Sequence, residues 1–164
     1  GTVLIGPGCL NFALILANDG ALKPSTVSTT NARVLEHHRK AFESLLRRPI
    51  SIQGHTDLTL ENLKFSGNSQ RRMGRFTLFH GSILLDLNLA LVAELLPVPA
   101  KQPAYRGNRP HKDFLTKLRL PPEPVKEALK KAWDASDGLE ILPRERILLL
   151  AGRKYRDESW NFNL

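Results

Sequence analysis

Short apolar runs separated by tight turns fill the middle of the chain, and this pattern constrains the fold more than any other feature. Short runs of this kind, bounded by turn residues, are typical of strands. Glu61 and Asn62 stand between two of the runs and predict a tight reversal, so that the two strands form a hairpin. The strands predicted here are Ile50–Gln53, Leu58–Leu60, Leu63–Ser66 and a longer one at Arg75–Leu87.

A long helix is predicted before these strands. It begins near Thr29 or Thr30, either of which can cap it, and it ends before Pro49. Its apolar positions have the three-four spacing of one buried face. They are Val34, Leu35, His38, Ala41, Phe42, Leu45 and Leu46.

The remaining elements complete a fold of strands and helices. Two strands, Thr2–Ile5 and Leu10–Leu16, are joined by a Gly-Pro-Gly turn, and residues 18–28 are typical of a loop. Further helices are predicted at Leu89–Leu96, at Pro122–Ala135 and from Pro143 onward, with a loop at residues 98–109. This mixture predicts one α/β or α+β domain over residues 1–164.

The chain is basic, with 24 Lys and Arg against 16 Asp and Glu, a net charge of +8. Such a surplus suits nucleic acid, nucleotide phosphates or an acidic protein. Few aromatic residues lie among the basic ones, which argues against a platform for single-stranded nucleic acid. Cys9 is the only cysteine, which excludes an internal disulfide and a cysteine-rich zinc site.

No segment has the pattern of a membrane span or a secretory signal. The apolar stretch at residues 84–98 is short and broken by polar residues, and residues 1–17 lack a basic leader. We therefore expect a cytoplasmic protein. Because Met73 is the only methionine, we also expect further residues upstream of Gly1.

The densest group of reactive residues lies between residues 54 and 81. Lys64 precedes a Ser-Gly-Asn sequence that predicts a turn, and an ammonium beside bare backbone amides is an arrangement that holds phosphate. Each residue also has a more common interpretation. Lys64 could be a solvated lysine, His80 a buried core histidine, and Asp57 a turn residue instead of a ligand.

Taken together, these residues resemble the core of the lipoate–protein ligase and octanoyltransferase family. The resemblance is carried by Asp57-Leu58, Lys64-Phe65-Ser66-Gly67-Asn68-Ser69-Gln70-Arg71-Arg72 and Phe79-His80-Gly81-Ser82-Ile83-Leu84-Leu85-Asp86. Upstream, Gly1-Thr2-Val3 and Gly8–Phe12 resemble the end of that family's Gly-rich loop and its next strand. Downstream, the resemblance extends over Tyr105-Arg106, Arg109, His111, Phe114-Leu115, Lys154-Tyr155 and Glu158–Asn161.

The resemblance implies a fold and an activity. The fold is a mixed, largely antiparallel sheet with flanking helices, as in biotin protein ligases and the cores of class II synthetases. The activity is ATP-dependent activation of lipoate or octanoate as an acyl adenylate, with Mg²⁺ accompanying the ATP phosphates. The acyl group then passes to a lysine of an acidic lipoyl domain, of the 2-oxoacid dehydrogenase or glycine cleavage type, and the basic charge would steer that partner.

The resemblance also implies roles for residues. Lys64 would stabilise charge on the α-phosphate and on the oxyanion of the transfer step. The substrate or adenylate would contact Gly1, Thr2, Val3, Asn11, Asp57, Gly67, Asn68, Ser69, His80 and Gly81, and phosphate or the acceptor would contact Arg71, Arg72 and Arg109. No residue is implied as a ligand of a separate metal site.

Three departures keep other functions open. The family's Arg-Arg-x-Ser-Gly-Gly loop is represented only by its last glycine, Ile5-Gly6 replaces a His-Asp pair, and Cys9 replaces an asparagine. We therefore expect the domain to begin within its Gly-rich loop. One alternative is octanoyl or lipoyl transfer from an acyl carrier through a thioester, for which Cys9 is the sole thiol. The others are a catalytically degenerate binding relative and a nucleic-acid binder, and of these we do not expect the latter.

Overall fold

The computed structural model describes residues 3–18, 26–138 and 141–162, and within them five strands form one sheet. The order across the sheet is β1-β5-β4-β3-β2, and every neighbouring pair is antiparallel. The strands are β1 (Cys9–Ala17), β2 (Ser51–Gln53), β3 (Asp57–Leu60), β4 (Leu63–Met73) and β5 (Phe76–Leu84). The predicted class, an antiparallel sheet with flanking helices, is confirmed.

Six α-helices accompany the sheet in the described part of the chain. They are α1 (Val27–Leu46), α2 (Leu89–Leu95), α3 (His111–Phe114), α4 (Pro122–Ala132), α5 (Arg144–Leu150) and α6 (Glu158–Asn161), with a 3₁₀ turn at Ala104–Arg106 and a π-helical turn at Ala151–Tyr155. Within the described ranges, none of these helices has the length and apolar character needed to cross a bilayer.

The core lies between α1 and one face of the sheet. Phe42 of α1 packs edge-to-face on Phe65 of β4, with ring centroids 5.1 Å apart, and Val125 of α4 is fully buried beside them. Each such buried side chain contributes about 1.5–3 kcal/mol. The opposite face carries exposed residues of β1 such as Ala13 and Ile15. We call this side the open face.

The start of α1 differs from the prediction. The cap is Thr26, whose hydroxyl accepts the N–H of Thr29, while the Thr29 hydroxyl accepts the N–H of Thr26. This reciprocal pair is a capping box, so Thr29 is the third helical residue instead of the cap. The helix begins at Val27 and takes the last two residues of the predicted loop.

The predicted strand Thr2–Ile5 is wrong for the described residues 3–5, which lie in no strand. The chain instead reaches β1 through a turn in which the carbonyl of Gly8 accepts the N–H groups of Leu85 and Asp86. Thr2 lies outside the described residues. At the other end of the chain, Ile147 and Leu148 of α5 and Tyr155 of the π turn are exposed.

The largest error concerns β4. The prediction ended this strand at Ser66 and placed a turn at Ser-Gly-Asn, but the strand continues to Met73 because residues 66–73 pair with 76–83 of β5. The reversal comes later, at Gly74, whose φ of +52° suits glycine. Gly67 and Asn68 therefore lie in the middle of a sheet, where backbone amides are directed at neighbouring strands. The predicted cradle of bare amides beside Lys64 is wrong.

Candidate active site

A row of small and polar residues crosses the open face. Asn11 of β1 pairs with Ser82 of β5, Ser82 pairs with Gly67 of β4, and Gly67 pairs with Asp57 of β3. Residues directly opposite each other in antiparallel strands have their side chains on the same face. The Ser82 hydroxyl donates to Oδ1 of Asn11 at 2.6 Å. We call Asn11, Ser82, Gly67 and Asp57 the polar row.

A β-bulge brings Lys64 onto the same face as this row. Leu58 pairs with Ser66 but Thr59 pairs with Lys64, so β4 contains one extra residue, Phe65. Residues three apart in a regular strand point to opposite faces. The extra residue changes this, and Lys64 shares the open face with Gly67. Bulges are frequent next to active sites because they redirect one side chain.

The Lys64 ammonium is held over the polar row by Asp57. Its Nζ lies 2.8 Å from Oδ1 of Asp57, and the two side chains are 27% and 11% exposed. A β-carbon at Gly67 would lie 2.8 Å from this Nζ, so the lysine occupies the space that a side chain at position 67 would need. The result is a fixed, partly exposed cation above the centre of the sheet.

The second carboxylate oxygen of Asp57 is also occupied. The Tyr105 hydroxyl donates to Oδ2 of Asp57 at 2.7 Å. Burial, and after it the hydrogen bond to Asp57, raises the pKa of Tyr105 far above its ordinary value. The phenol therefore keeps its proton and acts as a donor.

The segment that carries Tyr105 also holds the backbone of Lys64. The N–H of Thr116 donates to the carbonyl of Lys64 at 2.9 Å, and Leu115 pairs with Lys64 as an isolated parallel bridge. Arg106, which is 4% exposed, lies over the ring of Phe114 at 4.5 Å. We call residues 104–116 the clamp segment.

Arg109 has a different environment from the one predicted. Its guanidinium donates to four backbone carbonyls within and beside the clamp segment, those of Asn62, Tyr105, Arg106 and Asp113. Four of its five N–H groups are therefore used inside the protein. Arg109 stabilises the clamp segment, and the predicted phosphate or acceptor contact does not fit this arrangement.

The remaining predicted residues divide between the two faces of the sheet. Ser69 and His80 pair with each other on the open face, and His80 is exposed, so the core-histidine interpretation is wrong. Asn68 and Gly81 pair on the face toward α1, where the Asn68 amide donates to the carbonyl of Thr56 at 2.8 Å. They support the sheet from behind, because neighbouring residues of a strand alternate in direction.

Other predicted positions are less informative. Arg71 and Arg72 are exposed near the far end of β4 and, as neighbours in a strand, point to opposite faces. Val3 is exposed and lies in no strand, while Gly1 and Thr2 lie outside the described residues. In the described ranges, no group of three or more His, Cys, Asp or Glu residues could hold a metal ion.

Two residues of the site were missed. Ser82 directly follows the recognised His80-Gly81 pair, so extending the period-two pattern from His80 could have placed it on the open face. Tyr105 is 48 positions from Asp57, and no local signal connects them.

Comparisons with known proteins agree with this arrangement. Residues 1–133 match a family model described as the lipoyl protein ligase A/B catalytic domain. The chain is 31% identical over 119 residues to octanoyltransferase LipM of Geobacillus kaustophilus, a match that covers 65% of this chain and 43% of that protein. A probable lipoate-protein ligase A of Mycoplasma genitalium is 28% identical over 107 residues, which is 65% of this chain and 30% of that one. The chain thus spans less than half the length of these relatives.

Solved structures of the same fold are similar along most of the chain. A bi-partite lipoate protein ligase from Thermoplasma acidophilum, described with its E2 lipoyl domain, has a TM-score of 0.74 at 19% identity, covering 94% of this chain and 64% of that one. A lipoate-protein ligase A bound with ATP has a TM-score of 0.66 at 20% identity, covering 94% and 65%. A biotin protein ligase from Aquifex aeolicus has a TM-score of 0.53 at 16% identity, covering 89% and 55%. These similarities confirm the expected fold.

Proposed function

Because this chain belongs to the family of lipoyl protein ligase A/B catalytic domains, we propose that the protein attaches a lipoyl or octanoyl group to a lysine of an acceptor lipoyl domain. The observation that carries the proposal is the Lys64 ammonium, held 2.8 Å from Asp57 above Gly67 on the open face. Lys64 is the proposed catalytic residue, and the open face around the polar row is the proposed binding surface.

The chemistry of acyl transfer suits a fixed cation at this place. When an amine attacks an activated carbonyl, the carbonyl oxygen becomes an oxyanion, and negative charge also develops on the leaving phosphate. An ammonium already oriented by Asp57 stabilises this charge more in the transition state than in the ground state. Such a contact contributes about 3 kcal/mol, roughly a hundredfold in rate.

We propose ATP as the activating cosubstrate. The carboxylate of the acyl substrate would attack the α-phosphate of ATP to form an acyl adenylate and release pyrophosphate. A lipoate-protein ligase A of the same fold is known with ATP bound, which supports this choice. Mg²⁺ would bind with the ATP phosphates, since this ion commonly uses substrate oxygens and water as ligands.

The proposed acceptor is an acidic lipoyl domain, and the proposed compartment is the cytoplasm. The net charge of +8 provides attraction to an acidic partner, and the Thermoplasma acidophilum ligase was described together with its E2 lipoyl domain. Electrostatic association of this kind weakens as salt rises. Salt-sensitive binding to an acidic lipoyl domain, without retention on DNA, would separate this proposal from nucleic-acid binding.

Octanoyl transfer through a thioester is the second candidate. It is favoured by the LipM relative and by the position of Cys9, which shares the open face with Asn11 two residues later in β1. Cys9 is two strands from Gly67, about 10 Å by sheet geometry, so a thioester there would not lie beside the Lys64 ammonium. Loss of activity with iodoacetamide, prevented by the acyl donor and absent in Cys9→Ser, would support this route.

One experiment separates the candidates. The protein is incubated with a lipoyl domain and with either ATP plus octanoate or lipoate, or octanoyl-acyl carrier protein, and the lipoyl domain is then weighed by mass spectrometry. An acyl mass shift that requires ATP is the expected result. A shift only from the acyl carrier would favour the transferase, and no shift from either donor would contradict both enzymatic functions.

A further inference from the structure

We propose that the Tyr105 hydroxyl, acting through Asp57, positions the Lys64 ammonium for acyl transfer. This inference rests on the proposed function of Lys64 and adds to it a positioning residue 48 positions away from Asp57. Tyr105 itself would not touch the reacting atoms.

The argument begins with the two oxygens of Asp57. Oδ1 accepts the Lys64 ammonium at 2.8 Å and Oδ2 accepts the Tyr105 hydroxyl at 2.7 Å. A carboxylate can rotate about its Cβ–Cγ bond, because this torsion is broad and roughly two-fold. The hydroxyl fixes the plane of the carboxylate, and only then does Oδ1 have one direction in which to hold the ammonium.

Tyr105 is itself held in place by the clamp segment. Its ring packs against Phe114 with centroids 5.2 Å apart, and its backbone carbonyl accepts from Arg109 at 3.0 Å. Gly54 allows a close approach, since a β-carbon there would lie 3.5 Å from the Tyr105 ring and 3.9 Å from Oδ2 of Asp57. The hydroxyl is therefore presented by a packed ring and not by a mobile side chain.

The same segment holds both ends of Lys64. At its backbone, the carbonyl of Lys64 accepts the N–H of Thr116 at 2.9 Å. At its side chain, the path runs from Tyr105 through Asp57 to Nζ. A displacement of the clamp segment would therefore move the whole lysine, and the hydroxyl is the one link that can be removed without altering the packing.

The two tyrosines of the chain provide a matched pair of variants. Tyr105→Phe removes the hydroxyl and keeps the ring, while Tyr155→Phe makes the same change at an exposed residue that contacts Trp160. In the acyl-transfer assay we expect Tyr105→Phe to lower kcat five- to thirtyfold with KM within twofold, and Tyr155→Phe to match the wild type. A KM effect alone, or equal kcat in both variants, would overturn the inference.

A double-mutant cycle tests the route through Asp57. If Tyr105 acts only through this carboxylate, Tyr105→Phe should change kcat less than twofold in an Asp57→Asn background, because coupled residues are not additive. An undiminished effect in that background would mean that Tyr105 acts in another way.

A titration gives a readout that does not need activity. In Tyr155→Phe, Tyr105 is the only tyrosine, and its absorbance at 295 nm should show it still protonated where a free phenol ionises, near pH 10. Adding Asp57→Asn should move the midpoint downward. Ionisation of Tyr105 in the ordinary range, with no response to Asp57→Asn, would show that the contact is absent and would overturn the inference.

The outcomes distinguish the inference from the proposed function. If the wild type transfers acyl groups and Lys64→Ala does not, while Tyr105→Phe equals Tyr155→Phe, only the inference fails. If the wild type transfers nothing to a lipoyl domain, the proposed function fails and the catalytic part of the inference fails with it. The titration then decides whether the hydroxyl holds Asp57.

Discussion

A methyl group at position 67 should displace the Lys64 ammonium without disturbing the sheet. The β-carbon of an alanine there would lie 2.8 Å from Nζ and 2.9 Å from Cε of Lys64. Favourable non-bonded contacts lie at about 3.5–4.0 Å, so the end of the lysine must move by about 1 Å. Because it is the end of a flexible chain and no positive φ is needed at Gly67, we expect the free energy of unfolding to change by no more than about 1 kcal/mol.

The effect of Gly67→Ala on activity should be much larger. A displacement of about 1 Å in a catalytic group can lower the rate about a hundredfold. The rate of acyl transfer to a lipoyl domain, followed by mass spectrometry, and urea unfolding measure the two effects separately. Gly138→Ala is the control, since a β-carbon there would meet nothing within 4 Å. Full activity in Gly67→Ala would refute the argument that the position of the ammonium limits the rate.

Two further predictions concern stability. In Gly81→Ala the β-carbon would overlap Oδ1 of Asn68 and lie 2.8 Å from the backbone carbonyl oxygen of Gly67, so we expect a loss of about 1–3 kcal/mol in urea unfolding. Burial, and after it the charge of His37, lowers the pKa of His38 from 6.5 to about 4, so the unfolded chain binds this proton first as the pH falls. The contribution is fully present above pH 6.5 and is lost toward pH 4, about 3 kcal/mol in all, and His38→Phe should remove that dependence in urea unfolding between pH 7.5 and 4.5.

Each stability prediction has an internal comparison. Asn68→Ala should recover part of the loss in Gly81→Ala, because it removes the overlapping side chain, and an unchanged Gly81→Ala would contradict the packing. For the pH series, His37→Gln keeps the buried ring of His38 and should retain most of the wild-type slope. Parallel curves for the wild type and His38→Phe would contradict a buried neutral His38.

Local patterns predicted the elements that local forces determine. The amphipathic spacing of α1 identified its buried residues, among them Val34, Leu35 and Phe42, because one face of a helix must be covered. The hairpin between β3 and β4 was predicted because its turn residues adjoin both strands. Glu61 and Asn62 do adopt positive φ there, 49° and 63°.

The features that make the candidate site depend on partners distant in sequence. Residues 67–73 contain polar and basic side chains and become a strand only because β5 pairs with them. The bulge at Phe65, which turns Lys64 toward Gly67, depends on how β3 and β4 align. Tyr105 meets Asp57 through the packing of the clamp segment. The resemblance to a known family identified Lys64 and Asp57, whereas the contact between them became visible only in three dimensions.

The most direct test compares acyl transfer by Lys64→Ala and Lys117→Ala. Both lysines pair with an aspartate, Lys64 with Asp57 at 2.8 Å and Lys117 with Asp86 at 2.6 Å, and their side chains are 27% and 29% exposed. Mass spectrometry of the lipoyl domain, with ATP and octanoate supplied, should show a rate at least about a hundredfold lower for Lys64→Ala. Lys117→Ala should retain the wild-type rate. Acylation by Lys64→Ala at the rate of Lys117→Ala would contradict the assignment of Lys64 as the catalytic cation.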